Sequence, residues 1–243
     1  TARSTADPPS VMKESWTSRR GASIAGCGRA WTSPIAPGRA ACAGRPLPPD
    51  WQANAKGAVD RATAAFLRGE TRVADSEFAN ARREIARTGR ADLLARAELT
   101  RCAAQVASLD FEPCAGFEAL RADAAAAERA YADYLAGRAD AKAVALLPTQ
   151  HRAVASAGAA DAEAALRRIE EPFAQMIAAG VLFQTGRASP STIALAADTA
   201  SAQGWRRPLL AWLHVQLALA EKAGSAAEAE RLRRRIAIVE GGK

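Results

Sequence analysis

The chain has 243 residues, of which 49% are hydrophobic, and 64 alanines make up more than half of that apolar set. Alanine is the strongest helix former and a poor strand former, so this composition excludes an all-β fold and a doubly wound α/β fold. The formal net charge is +7, but four of these charges come from residues 1–50, where 7 Lys and Arg stand against 3 Asp and Glu. The rest of the chain is nearly balanced, which argues against nucleic acid as a partner.

Residues 1–49 differ in composition from everything that follows. They hold seven of the 12 prolines, together with many Arg, Ser and Gly residues, and they show neither a helical nor an alternating apolar period. A segment that cannot bury enough apolar surface to offset the entropy of ordering stays disordered. We therefore predict a disordered segment over residues 1–49 and one α-helical domain over residues 50–243.

Two cysteines in this first segment resemble the acylated cysteine of a bacterial lipoprotein. Cys42 precedes a short Pro-rich tether and then the helical domain, and Cys27 follows the small residues Ala25 and Gly26. A signal peptide also needs about 7–15 apolar residues before the cleavage site, and neither cysteine has them. Two alternatives stay open: residues 1–45 stand in place of a hydrophobic signal through a wrongly chosen start or a shifted reading frame, or they are a genuine cytoplasmic tail.

From residue 50 onward, apolar side chains recur with the helical period. Glycines at positions 69 and 89 interrupt this pattern, and an irregular link covers residues 110–116. The spacing predicts helices over residues 51–68, 72–88, 92–109 and 117–136.

The second half of the domain is divided by prolines. Pro148 and Pro172 split its middle into shorter helices, while Ser189 and Pro190 form an N-cap and first-turn pair. Residues 209–220 are apolar almost all round, which predicts a helix buried on several sides, and the run is shorter than the roughly 18 residues needed to cross a bilayer. We therefore predict an all-α fold of about nine or ten helices, arranged as antiparallel hairpins in an α-solenoid or a compact bundle.

The turn at Gly69 and the helix after it resemble part of a tetratricopeptide repeat. An acidic residue follows the glycine, and small and aromatic residues then recur at Ala74, Phe78 and Ala81. The resemblance implies that small residues let two paired helices approach closely, with Phe78 buried between them, and that the stacked hairpins dock another protein. The turn glycines do not keep the constant period of roughly 34 residues that such repeats show, so a plain helical bundle stays an alternative.

Few residues offer catalytic chemistry, and no catalytic, cofactor-binding or metal-binding motif is present. We expect His214, inside the apolar run, to be a buried and hydrogen-bonded core residue; His151 follows Pro148 at a helix start. Glu170 and Glu171 form an adjacent acid pair, which a glycan-cleaving enzyme could use. Because neighbouring residues on a helix point about 100° apart, we expect both glutamates to be solvated surface residues instead.

Cys102 and Cys114 are a candidate disulfide. Cys102 lies on the apolar face of its predicted helix, and the 12-residue separation with a bend at Pro113 can bring the two Cα atoms within the roughly 4–7 Å that a disulfide needs. Such a bond would form in an oxidising compartment. Two reduced core cysteines in a cytosolic protein are the alternative.

Taken with the Cys42 region, the chain resembles uncharacterised helical envelope lipoproteins of proteobacteria. The resemblance implies a periplasmic, outer-membrane-anchored protein that is not an enzyme, uses no cofactor, touches the membrane only through a lipid on Cys42 (or Cys27), and serves as a docking scaffold for another protein. The alternatives are a helical peptidoglycan-acting enzyme and a cytoplasmic helical adaptor.

Overall fold

The computed structural model describes residues 49–241, and every regular element in that range is helical. The predicted all-α class is therefore confirmed for this part of the chain, whereas Cys27, Cys42 and the predicted disorder of residues 1–48 lie outside it. It contains eleven α-helices, more than the nine or ten predicted, and a short 3₁₀ helix at Val144–Leu146. The α-helices are α1 Asp50–Arg68, α2 Thr71–Ala86, α3 Ala91–Ala107, α4 Ala115–Glu118, α5 Ala126–Leu135, α6 Thr149–Ser156, α7 Ala162–Arg167, α8 Pro172–Gln184, α9 Pro190–Ala202, α10 Arg206–Lys222 and α11 Ala226–Gly241.

Helices α1 and α2 form a hairpin around Gly69. This glycine has φ +84°, a left-handed conformation that glycine adopts without steric cost, and its N–H donates to the carbonyl of Phe66 at 3.0 Å. The next N–H, from Glu70, donates to the carbonyl of Ala65 at 2.9 Å, so two helix-end carbonyls are satisfied. Small and branched side chains of α1, α2 and α3 then meet in a separate core cluster that includes Ala58 and Ala81.

The predicted helix over residues 117–136 is wrong, because the chain forms two helices there. Residues 119–125 are turns between α4, which has only four residues, and α5. Phe117 of α4 and Ala124 within this break are both buried, and the Arg129 guanidinium donates to the Ala124 carbonyl. Burial of these side chains outweighs the helix propensity of the alanines around them.

Helices α3 and α8 cross at the centre of the main core. Nine of the 13 residues of α8 are buried, and Gly180 lies where α8 meets α3: a Cβ at this position would stand 2.3 Å from the Val106 carbonyl oxygen. Contacts also join α1 to α10, where the Arg207 guanidinium donates to the Phe66 carbonyl at 2.8 Å and lies 4.2 Å from the centre of its ring. A single row of hairpins that touch only their neighbours would lack these long-range contacts.

Replacing Phe78 tests the packing of α2. The ring is 7% exposed, and the Arg101 guanidinium of α3 lies 5.8 Å from its centre. We expect Phe78→Ala to lower the free energy of unfolding by about 3–5 kcal/mol through loss of apolar burial and the cavity left behind, measured by urea titration. Glu70→Ala is the matched control, because the Glu70 side chain is exposed and pairs with Arg68. Equal urea midpoints for the two variants would contradict the predicted burial of Phe78.

Candidate functional site

An aromatic cluster lies buried between α5 and α6. Tyr131 and Tyr134 lie three residues apart on one face of α5, and His151 lies in the first turn of α6. The imidazole is completely buried, and its ring centre lies 5.7 Å from that of Tyr131 and 5.1 Å from that of Tyr134. The Tyr134 hydroxyl is 3.4 Å from His151 Nδ1, a long hydrogen bond.

Two polar atoms of this cluster have no hydrogen-bond partner among the described residues: the Tyr131 hydroxyl and His151 Nε2. Burial disfavours the charged form of each group, so it lowers the pKa of His151 to about 3 and raises the pKa of both tyrosine hydroxyls. The histidine is therefore neutral near pH 7. Since its ring is closed off from solvent, it cannot meet a substrate in this conformation.

Glu171 is not the solvated surface residue that we predicted, although Glu170 is exposed. Its carboxylate caps α8, with one oxygen accepting the Phe173 N–H at 3.0 Å and the other accepting the Ala174 N–H at 2.5 Å. Burial raises the pKa of this carboxyl, and the two backbone hydrogen bonds oppose that rise. Each oxygen accepts a backbone N–H of the first turn of the helix, so the carboxylate serves as the N-cap of α8.

Cys102 and Cys114 are joined in a disulfide, with their Cα atoms 5.8 Å apart. Cys102 lies in α3 and Cys114 immediately precedes α4, so the bond fastens this short helix to α3. Leu109, two residues after the end of α3, has a left-handed conformation with φ +59°. Beside the disulfide, Gly116 packs against the buried side chain of Glu98, which pairs with Arg82 of α2.

Helix α10 packs against α9, α11 and α1, as predicted for a helix buried on several sides, but one of its sides carries partly exposed apolar residues. The spacing of Ala211, Val215, Ala218 and Leu219, at i, i+4, i+7 and i+8, places them on one side of the helix; we call these four residues the α10 stripe. Ala218 and Leu219 are exposed, whereas Ala211 is half-buried and Val215 packs partly against the main core. Leu219 is 43% exposed. His214, predicted to be a buried core residue, is exposed beside the stripe, because α10 packs mainly on α9 and α11 and its remaining side faces away from them.

Within residues 49–241, no helix combines the length and the hydropathy that crossing a membrane requires. The same residues contain no group of three or more His, Cys, Asp or Glu side chains that could hold a metal ion. Comparison of the chain with protein-family models, with curated proteins and with solved structures finds no match. The proposed function therefore rests on the arrangement of the side chains themselves.

Proposed function

We propose that this chain is a non-enzymatic helical scaffold of the bacterial cell envelope, a lipoprotein in its native form, which docks another protein through the α10 stripe. The observation that carries the proposal is the partly exposed apolar side of α10. Leucine and valine side chains in a soluble protein gain roughly 25 cal/mol for each Å² of apolar area removed from water. A helix of the partner with an apolar face would supply that cover, since helices recognise one another through residues spaced as in the stripe.

Two further observations support this compartment and role. Disulfides persist in oxidising compartments such as the periplasm and are rare in the cytosol, and the Cys102–Cys114 bond lies within the folded domain. The α1–α2 hairpin has the left-handed glycine turn and the buried Ala74 and Ala81 that its resemblance to a tetratricopeptide repeat implies. Scaffolds built from such hairpins bind other proteins through extended surfaces.

A peptidoglycan-acting enzyme is the second candidate, and Glu171 is the residue that favours it. A partly buried carboxyl with a raised pKa is the usual general acid of glycan cleavage. The scaffold is the better proposal, because both Glu171 oxygens accept backbone N–H groups of α8.

The docking role is tested with the immobilised full chain and detergent-solubilised bacterial envelope proteins. Leu219→Asp places a charge on the stripe, and we expect it to abolish retention of a partner that the unchanged chain holds, because a buried unpaired carboxylate is costly. Ile238→Asp is the matched control: Ile238 is the more exposed residue, 75% against 43%, and it lies on α11.

Support for the proposal requires one protein that is retained by the unchanged chain and by Ile238→Asp but lost with Leu219→Asp. Thermal unfolding of both variants must match that of the unchanged chain. Retention of the same proteins by all three chains would contradict docking through α10. Lysis of cell walls in a zymogram, lost in Glu171→Gln, would reverse the ranking in favour of the enzyme.

A further inference from the structure

The part of the chain between α5 and α8 consists of short helices joined by turns. Residues 138–169 contain the 3₁₀ helix, α6 with eight residues and α7 with six. Isolated helices of this length are unstable in water, so tertiary contacts must hold them in place. Below, we call residues 138–169 the middle segment.

Six buried apolar residues hold the middle segment against the main core: Leu147, Val154, Ala162, Ala165, Leu166 and Ile169. Polar bonds at its edge come from Gln175, which donates to two carbonyls of the segment, and from Arg187, which donates to the Ala157 carbonyl at 3.1 Å. The one buried polar side chain that reaches from the segment to α5 is His151.

No carboxylate among residues 49–241 hydrogen-bonds the His151 ring, α8 has no charged residue, and one of the two ring nitrogens has no partner. The charge of Glu171 helps to raise the pKa of Tyr131, and since burial raises the pKa of Glu171 itself, that charge is lost as the pH falls. Arg187, close to Tyr134, adds a positive charge to the same neighbourhood.

The remaining charged groups around α6 are already engaged or exposed. Glu128 pairs with Arg96 through Oε1, while its buried Oε2 has no hydrogen-bond partner among the described residues. Asp133 pairs with Arg121 and Arg138, and Glu163 pairs with Arg167 and accepts the Ser189 hydroxyl. Arg129 and Arg152 each donate to a backbone carbonyl, Asp140 accepts a backbone N–H, and Lys142, Asp161, Arg168 and Glu170 are exposed.

We propose that His151 is an acid-sensitive latch, whose protonation releases the middle segment from α5 and α8 while α1–α3 and α8–α11 stay folded. Released, the imidazole gains water as its hydrogen-bond partner, and the faces of Tyr131 and Tyr134 that it covered become accessible. The latch does not depend on the proposed docking role, because it involves neither α10 nor a partner.

The direction and size of the effect follow from proton linkage. Burial holds the pKa of His151 at about 3 in the closed form, against an ordinary value of 6.5, so the released form binds the proton more tightly. The closed form therefore has its full stability above pH 6.5 and loses it as the pH falls toward 3. Over that window the equilibrium constant for release rises about tenfold for each pH unit.

Hydrogen exchange of the full chain between pH 7 and pH 4.5 tests the latch. We expect the protection factors of α6 amides, corrected for intrinsic exchange, to fall about 50-fold between pH 6.5 and 4.5. Amides of α3 and α8 should keep theirs. Loss of protection in α3 and α8 to the same extent as in α6 would show global unfolding and overturn the proposal.

Substitutions assign the effect to one of the two histidines in the chain. His151→Gln should remove most of the pH dependence in α6, and His214→Gln, at an exposed position, should leave it unchanged. If His151→Gln fails to fold, the side-chain NMR signals of the unchanged chain decide, with His214 as the reference. We expect the His151 signal to keep the shift of a neutral ring and to lose intensity as the pH falls; a smooth shift to the charged form with α6 still protected would overturn the latch.

Discussion

Gly180→Ala is expected to lower the free energy of unfolding by about 3 kcal/mol or more. The added Cβ would stand 2.3 Å from the Val106 carbonyl oxygen and 2.9 Å from its carbon, so it meets backbone rather than a side chain that can turn away. To avoid this clash, α3 and α8 would have to move apart at the centre of the core. Such a shift is costly in a close-packed interior. Urea titration followed by circular dichroism measures the loss.

Gly57→Ala is the control for this substitution, because it makes the same chemical change inside a helix. A Cβ at Gly57 would meet only the Arg61 guanidinium, 3.1 Å away, and that is the end of a flexible side chain. Alanine is better than glycine in a helix by about 1 kcal/mol, so we expect Gly57→Ala to raise stability slightly. A similar gain in both variants would mean that helix propensity, and not the α3–α8 contact, governs position 180.

The helix ends were predictable where local chemistry decides them. The predicted helices over residues 51–68 and 72–88 agree with α1 and α2 to within two residues. Gly69 directly follows the last residue of α1, and Gly89 lies in the turn that follows α2. Ser189 was predicted as an N-cap, and its hydroxyl does accept the Thr192 N–H at 3.0 Å. The break at residues 119–125 was not predictable, because it depends on where the buried Phe117 and Ala124 fit in the assembled core.

The buried polar groups were harder to predict, although one signal was present. Glu171 and Pro172 repeat the arrangement of Ser189 and Pro190, a capping side chain followed by proline in the first turn. This pattern could have identified Glu171 as a cap. The burial of His151 and the exposure of His214 had no local signal: His151 is buried because α5 lies over it, and His214 is exposed because no helix within residues 49–241 covers that side of α10.

Removing the disulfide is the second change that we expect to lower the free energy of unfolding strongly. Replacing Cys102 and Cys114 together by alanine is expected to lower the free energy of unfolding by about 3 kcal/mol, since a cross-link that closes a loop of this length restricts the unfolded chain. The loss should be accompanied by faster exchange of amides in α4, a helix of four residues that contacts α3. Replacing Cys27 and Cys42 by serine is the control, because we expect neither to pair with the folded domain.

The oxidation state of the same pair tests the compartment. If the protein is exported, non-reducing peptide mapping of chain purified from the periplasm should find Cys102 and Cys114 in one cross-linked species, and dithiothreitol should lower its stability to that of the double alanine variant. Cys114 precedes the α4 turn that buries Phe117, so reduction should weaken the packing of that ring as well. Free thiols at both positions in periplasmic protein would contradict the disulfide and remove the main physical support for an envelope location.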